Sequence, residues 1–239
     1  MFLDPYFQTR NNHVVISAHQ GSAFAKEVAG DFNPIHDPDN RRFCVPGDLL
    51  FSLALNHYGL SQRMSVRFAG LVDADQPLLF PAPEDVQDQI AVTDDKERVA
   101  LEIERGGDIT QDPTLIESFT REYVKFSGQN FPYIMVPLLQ EHQVMFNPRR
   151  PFVIYERMGF ELDTAELRDP ELTLADRTLD INGRRGDARF RFAVTDNGRQ
   201  VGTGTKTLII SGLQPYDEVQ MQAVVDKFNA DKEAYLQAL

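Results

Sequence analysis

The segment Gly30-Asp31-Phe32-Asn33-Pro34-Ile35-His36 places a carboxylate and an imidazole five residues apart across a proline turn. Pro34 keeps the backbone of Asn33 out of the α region. The side chains of Asp31 and Asn33 are of the kind that bonds nearby backbone groups in Asx turns. Asp31 and His36 are therefore candidates for a general base and acid, and the simpler interpretation is a structural turn with an ordinary loop histidine.

A second turn, Pro46-Gly47, follows this motif, and the apolar stretch 49–55 comes directly after it. The pattern predicts a buried helix that begins near Asp48, whose carboxylate would lie at the positive end of the helix dipole. An acid/base pair on a rigid turn beside a buried helix is the geometry required to add or remove water across an activated double bond.

This combination of motif, turn and apolar stretch resembles the signature of the MaoC-like hydratases, the (R)-specific enoyl-CoA hydratases of the hot-dog superfamily. In that family the motif follows a short helix, which here would span residues 20–29. The resemblance implies that Asp31 and His36 form the catalytic pair. It also implies that Asn33 is the turn residue between them, and that the N–H of Gly47 faces the thioester oxygen. The complete chain is also similar to an uncharacterised proteobacterial family, for which we expect no assigned reaction.

The sequence departs from the MaoC-like pattern in the loop after the motif. The segment between His36 and Gly47 is shorter than is typical, and Pro46 stands where a histidine is usual. Within this loop, Arg41 and Arg42 are candidates for binding CoA phosphates, because guanidinium groups bind phosphate well. The alternative is that both arginines only balance surface carboxylates.

The motif has a partial second copy. Shifted by 98 residues, Gly30 and Pro34 fall on Gly128 and Pro132. Such a repeat predicts two similar units in one chain.

The second copy lacks both candidate catalytic groups. It has Gln129 in place of Asp31 and Ile134 in place of His36, and neither replacement can transfer a proton near neutral pH. The resemblance therefore implies one active unit and one inactive unit that shapes the acyl pocket.

Alternating and β-branched runs predict an α+β fold with many strands, and the turns Asn182-Gly183 and Asn197-Gly198 predict hairpins. Helical character returns at 115–126, and glycines 106 and 107 are predicted to stop the strand before them. The predicted strands are residues 64–70, 77–80, 89–92, 98–104, 152–162, 172–181, 188–195 and 200–210.

Together with the resemblance, these elements predict a double hot-dog, two helix-plus-antiparallel-sheet repeats in one chain. We expect an N-terminal repeat with the active motif at 10–112 and a degenerate repeat at 113–212. A C-terminal helix at 213–239 is expected to pack on the sheet.

Composition narrows the class of protein. A net charge of −12 argues against nucleic-acid binding and against electrostatic attachment to a membrane. No apolar run approaches the ~20 residues that span a bilayer, and the N-terminus lacks a signal-peptide pattern. A single cysteine, Cys44, is typical of a protein in a reducing compartment. We predict that it is a core residue. We therefore expect a cytoplasmic protein.

Three functions remain open from the sequence. The first is hydration or dehydration of a 2-enoyl/3-hydroxyacyl thioester such as an acyl-CoA, without a metal or other cofactor. The alternatives are a non-catalytic acyl-group binding or regulatory protein, and an acyl-CoA thioesterase. The expected partner is a small acyl thioester, and a homodimer of double hot-dogs is a further expectation.

Overall fold

The computed structural model describes residues 1–238 and shows a mixed α+β protein with one large antiparallel sheet. The helices are α1 (Ala18–Phe24), α2 (Gly47–Tyr58), α3 (Pro113–Gly128), α4 (Met135–Glu141) and α5 (Glu218–Gln237). The strands are β1 (Gln8–Arg10), β2 (His13–Val15), β3 (Leu60–Phe68), β4 (Leu78–Leu79), β5 (Gln89–Asp94), β6 (Val99–Thr110), β7 (Val144–Met145), β8 (Val153–Leu162), β9 (Pro170–Asn182), β10 (Arg185–Asp196), β11 (Arg199–Ser211) and β12 (Gln214–Pro215).

The ten-stranded sheet has the order β1-β2-β4-β5-β6-β3-β8-β11-β10-β9. Strands from the first half of the chain occupy one side of the sheet and strands from the second half occupy the other. The two sides meet where β3 pairs antiparallel with β8, from Arg63 opposite Glu161 to Arg67 opposite Arg157. The remaining strands, β7 and β12, pair separately.

Helix α2 is the central helix of the first half. It begins after Pro46 and ends at Gly59, whose φ of +83° is in the range that glycine tolerates best. Every residue from Asp48 to Leu55 is buried, so the helix is enclosed on all sides rather than amphipathic. The prediction of a buried helix at this position is confirmed.

Helix α3 packs directly against the helical segment that leads into the Asp31 motif. A Cβ atom on Gly128 would overlap the carbonyl oxygen of Ala29. Only glycine allows the two backbones to approach this closely. This contact fixes the position of the motif relative to the second half of the chain.

Substituting Gly128 by alanine should therefore destabilise the protein by about 1–3 kcal/mol, the range for overpacking a filled interior. Without the overlap, alanine would favour the helix, because glycine is the poorer helix former. Gly70→Ala is the matched control, since a Cβ at Gly70 meets nothing within 4 Å. Urea unfolding measures both variants, and a Gly128→Ala protein as stable as the Gly70→Ala protein would contradict this packing.

Most predicted strands and both predicted hairpins are confirmed. Strand β9 turns into β10 through Gly183 at φ +59°, and β10 turns into β11 through Asn197 and Gly198, both at positive φ. The predicted stop at glycines 106 and 107 is wrong, because β6 continues to Thr110. Its pairing with β3 shifts by one residue there, and Gly107 at φ +78° supplies the bulge.

The expectation that the C-terminal segment packs on the sheet is wrong, because helix α5 packs on the irregular segments around Phe32 and Phe131. Its Phe228 ring makes edge contacts with Phe32 and Phe131, with ring centroids 5.9 and 5.3 Å apart. Tyr235 also contacts Phe32, at 5.8 Å. The helix therefore covers the motif segment and its counterpart in the second half. None of the helices within residues 1–238 has the length and apolar character needed to cross a bilayer.

Candidate active site

Residues 18–29 bring the chain to the motif as a helix that changes pitch. Ser17 and Gln20 form a capping box at the start of α1, and a π-helical turn, Ala25–Ala29, follows it. Gly30 ends the helix in the left-handed conformation, at φ +65°. The predicted helix 20–29 is thus an α-helix followed by a π-turn, and Asp31 emerges directly from its end.

Two Asx turns shape the motif. Asp31 Oδ1 accepts a hydrogen bond from the backbone N–H of Asn33 at 2.9 Å. Asn33 Oδ1 in turn accepts one from the N–H of Ile35 at 3.2 Å, at the start of the 3₁₀ turn Pro34–His36. Because Oδ1 of Asp31 is used by the turn, Oδ2 is the oxygen that faces His36.

The imidazole of His36 is held in one orientation. Its Nδ1 lies 2.7 Å from the carbonyl oxygen of Cys44, and a carbonyl can only accept, so Nδ1 carries a proton. Its Nε2 lies 3.7 Å from Asp31 Oδ2. Proton exchange is therefore left to Nε2, the nitrogen that faces the carboxylate.

The separation of Asp31 and His36 suits a shared water. A water about 2.8 Å from each group, at ordinary hydrogen-bond length, can lie beside two atoms that are 3.7 Å apart. The side chain of Asp31 is 27% exposed and that of His36 is 12% exposed. The pair is reachable from solvent mainly on the Asp31 side.

Cys44 contributes its backbone rather than its thiol. Its side chain is buried, and burial raises the pKa of the thiol to about 11. At neutral pH the thiol is therefore protonated and a poor nucleophile. Sequence reasoning placed Cys44 in the core and did not foresee that its carbonyl orients His36.

A second polar cluster lies in the interior and was missed by the sequence analysis. Ser127 Oγ lies 2.7 Å from both carboxylate oxygens of Asp48, and it accepts a hydrogen bond from the ammonium of Lys206. All three side chains are buried. We call Asp48, Ser127 and Lys206 the buried cluster. It joins α2 to α3 and β11.

Burial shifts the pKa of both ionisable members of the buried cluster. Removal from water raises the pKa of Asp48, and the Lys206 charge and the Ser127 hydrogen bond oppose this rise. Burial lowers the pKa of Lys206, and the charges of Asp48 and Asp31 oppose that fall. Asp31 and His36 both act on the pKa of Asp48, so the motif and the buried cluster share one electrostatic environment.

Two tyrosines close the buried cluster on one side. The ammonium of Lys206 lies 4.0 Å from the centre of the Tyr155 ring, a cation–π contact. The hydroxyl groups of Tyr155 and Tyr123 are hydrogen-bonded to each other. Burial raises the pKa of Tyr123 well above its ordinary value, so this hydroxyl stays protonated.

Gly47 lies at the first position of α2, against Tyr155 and Phe68. A Cβ atom on Gly47 would lie 2.8 Å from Cδ1 of Tyr155 and 3.3 Å from Cε1 of Phe68. The absence of a side chain therefore has a packing reason. Its N–H belongs to the helix N-terminus, where backbone donors favour negative charge.

The other predicted positions differ in their exposure. Arg41 and Arg42 are exposed, in the turn after the motif. In the second half, Gln129 is exposed and Ile134 is buried in the core. Within residues 1–238, no group of three His, Cys, Asp or Glu side chains could hold a metal ion.

A family profile described as "Protein of unknown function (DUF3581)" matches residues 1–219. The chain belongs to this family. In this DUF3581 protein the match includes the motif and all of the buried cluster, and it ends near the start of α5. No curated protein matches the chain in sequence.

Several solved structures match this DUF3581 protein at low sequence identity and with TM-scores below 0.5. A TesB protein of Mycobacterium avium subspecies paratuberculosis has 9% identity and a TM-score of 0.45, covering 87% of this chain and 96% of that one. The acyl-CoA thioesterase II TesB2 of Mycobacterium marinum has 10% identity and a TM-score of 0.43, with 91% and 100% covered. A MaoC-like dehydratase has 10% identity and a TM-score of 0.41, with 85% and 97% covered.

Proposed function

We propose that this protein adds water to, or removes it from, a 2-enoyl/3-hydroxyacyl thioester such as an acyl-CoA, with Asp31 and His36 as the reacting pair. The observation that carries the proposal is the approach of Asp31 Oδ2 to His36 Nε2 at 3.7 Å. In this geometry one water can contact both groups while Nδ1 of His36 is fixed by the Cys44 carbonyl.

In the hydration direction, the Asp31 carboxylate takes a proton from the water as its oxygen bonds to the β-carbon. The imidazolium of His36 gives its Nε2 proton to the α-carbon, and the double bond becomes a single bond. A proton then returns from Asp31 to His36 through solvent. The Cys44 carbonyl accepts from Nδ1 throughout, because that nitrogen keeps its proton in both states of the ring. A positioned acid or base typically accelerates the reaction by 10²–10⁴-fold.

Negative charge develops on the thioester oxygen during this reaction. We assign the N–H of Gly47 as the group that stabilises this charge, because it lies at the N-terminus of the buried helix α2. Asn33 serves the reaction indirectly, since its backbone N–H holds Oδ1 of Asp31 and leaves Oδ2 available. No metal or other cofactor enters this scheme.

The architecture that fits this function is a double hot-dog of residues 10–112 and 113–212, followed by the C-terminal helix α5, which is shorter than the expected 213–239 because Gln214–Pro215 form strand β12; residue 239 lies outside the described residues. Its support is the arrangement of the sheet, in which each half supplies helices and strands and the halves join at β3 and β8. In this proposal the first half is active, and the second, with Gln129 and Ile134, is not. A homodimer of such chains remains an expectation.

A non-catalytic acyl-binding protein is the second candidate. It is favoured by the low exposure of His36, whose side chain is 12% accessible. The cleft that includes Gly30 and Phe32 is not lined by Asp31 or His36. An acyl chain held in that cleft would therefore contact neither side chain of the pair.

The products separate the candidate functions. Purified protein should consume crotonyl-CoA or a longer trans-2-enoyl-CoA, seen as loss of the conjugated enoyl absorbance, without release of free thiol. Thiol release with the double bond intact would indicate a thioesterase and overturn the hydratase proposal. Binding of acyl-CoA with neither reaction, at every chain length tested, would leave the acyl-binding function.

A further inference from the structure

A basic cleft lies beside the motif, where both halves of the chain meet α5. It has a volume of about 260 Å³, and its walls include Gly30 and Phe32 from the first half and Gly128 and Tyr133 from the second. Small-molecule sites usually measure ~300–1,000 Å³. The cleft therefore has room for one end of a ligand rather than for a whole one.

Lysines are concentrated at this cleft. The chain has six lysines, and three of them, Lys26, Lys125 and Lys232, line it. They come from three separate elements, the π-turn, α3 and α5. In a chain with a net charge of −12, this is a local field that attracts anions.

Few acidic side chains pair with the lysines of this cleft, so their charges are available to a bound anion. Lys125 pairs only with its helix neighbour Glu122, at 3.2 Å, and Lys232 makes no ion pair within residues 1–238. Lys26 pairs with Asp37 at 2.9 Å. The Lys125 side chain is 63% exposed. Exposed pairs are weak, with a median near 0–1 kcal/mol, so a multiply charged anion competes well for Lys125. The Lys26 side chain is only 18% exposed in its pair.

One acidic side chain, Glu27, lines the cleft and offsets part of its positive charge. Glu27 accepts hydrogen bonds from Tyr6 at 2.9 Å and from Tyr235 at 3.0 Å, one on each carboxylate oxygen. These contacts tie α5 to the helical segment before the motif. Lys232, on the same helix as Tyr235, lines the cleft.

We propose that this lysine cleft binds the phosphate groups at the nucleotide end of a coenzyme A thioester. Gly30 lines the cleft and Asp31 is the next residue, so the cleft lies beside the segment that carries the candidate catalytic pair. Lysine binds phosphate as a point charge, and several lysines suit a ligand with several phosphates. The inference rests on the proposed function in that it assigns the binding site of that substrate.

Phosphate could also come from the phosphopantetheine of a carrier protein, and a binding experiment separates the two sources. Titration calorimetry of the full chain would compare CoA, 3′,5′-ADP, dephospho-CoA and 4′-phosphopantetheine. CoA and 3′,5′-ADP should bind and weaken with added salt, and dephospho-CoA should bind several-fold more weakly than CoA. No binding of 3′,5′-ADP, or phosphopantetheine binding as tightly as CoA, would overturn the proposal.

Variants locate the site. Lys125→Ala and Lys232→Ala should each weaken CoA binding by about 5-fold, and the double variant by more than 10-fold. Lys227→Ala is the matched control on α5, since this lysine pairs with Asp231 and does not line the cleft. Unchanged affinity in the double variant would overturn the assignment.

The binding readout is independent of turnover. If the wild type binds 3′,5′-ADP through these lysines but hydrates no enoyl-CoA, the assignment of the cleft as a phosphate site is supported and the proposed function is wrong. If the protein hydrates enoyl-CoA and the double lysine variant keeps its KM, the proposed function is supported and the assignment of the cleft as a phosphate site is wrong.

Discussion

Asp31→Asn should lower the rate of crotonyl-CoA hydration by about 10²-fold or more, the usual contribution of a positioned acid or base. Asparagine keeps the size of the side chain and an oxygen that can accept from the N–H of Asn33, so the turn at 2.9 Å is retained. It removes the basic carboxylate that faces His36. The loss should appear in kcat, because the group acts on the reacting water rather than on binding.

His36→Ala should cause a loss of similar size, since it removes the Nε2 proton donor. Asp39→Asn is the matched control. This acid-to-amide change is at an exposed position of the following loop, and it should leave kcat unchanged. Thermal unfolding of each variant separates lost chemistry from lost fold. Full activity in a folded Asp31→Asn protein would show that the motif is a structural turn and nothing more.

The geometry of the motif is predictable from sequence because it is local. Gly30 permits a positive φ, Pro34 restricts the backbone of Asn33, and Asx turns close within two residues. The same holds for the hairpins at Gly183 and Asn197. In each case the residues that determine the conformation lie next to one another in the chain.

The buried cluster could not be found in this way, because its members are far apart in sequence. Asp48 and Ser127 are 79 residues apart, and so are Ser127 and Lys206. One signal was present. Lys206 occupies an inward position of β11, in the alternation that also buries Leu208 and Ile210, and a lysine in such a row requires a buried partner. Identifying that partner requires the tertiary structure.

The extension of β6 past Gly107 also depends on a distant partner. Two adjacent glycines usually mark the end of a strand. Here pairing with β3 continues through a bulge, as far as Thr110 opposite Leu60. The placement of α5 is similar, because its contact rings, Phe32 and Phe131, lie in irregular segments. Local pattern therefore predicts an element better than it predicts the surface that the element covers.

Lys206→Met should destabilise the protein by about 3–5 kcal/mol, the cost of breaking a buried ion pair by removing one partner. Methionine fills similar space without a charge. Asp48 then keeps only the Ser127 hydroxyl, which lies 2.7 Å from its oxygens, and its buried charge is no longer compensated. Urea unfolding at neutral pH measures the loss. Lys227→Met is the matched control, because that lysine is exposed, and it should change stability by less than about 0.5 kcal/mol.

The pH dependence of stability should distinguish the contribution of Asp48 from that of Lys206. Burial raises the pKa of Asp48, so the folded state binds its proton more tightly than the unfolded state does. In Lys206→Met the opposing positive charge is gone and the pKa rises further. Stability should therefore be greatest below the unfolded pKa of about 4 and fall as the pH rises through the folded pKa.

Asp48→Asn should show the opposite trend. Burial lowers the pKa of Lys206, and loss of the Asp48 charge lowers it further, so the unfolded state binds the proton more tightly. The stability of this variant should rise as the pH increases from the folded pKa of Lys206 toward about 10.4, the unfolded value.

The double variant Lys206→Met/Asp48→Asn removes both charges, and it should be less destabilised than the sum of the single changes, as expected for residues that interact directly. Two results would show that Asp48 and Lys206 do not form a coupled pair through Ser127. One is the same slope of unfolding free energy against pH in both single variants. The other is a double variant whose loss of stability equals the sum of the single losses.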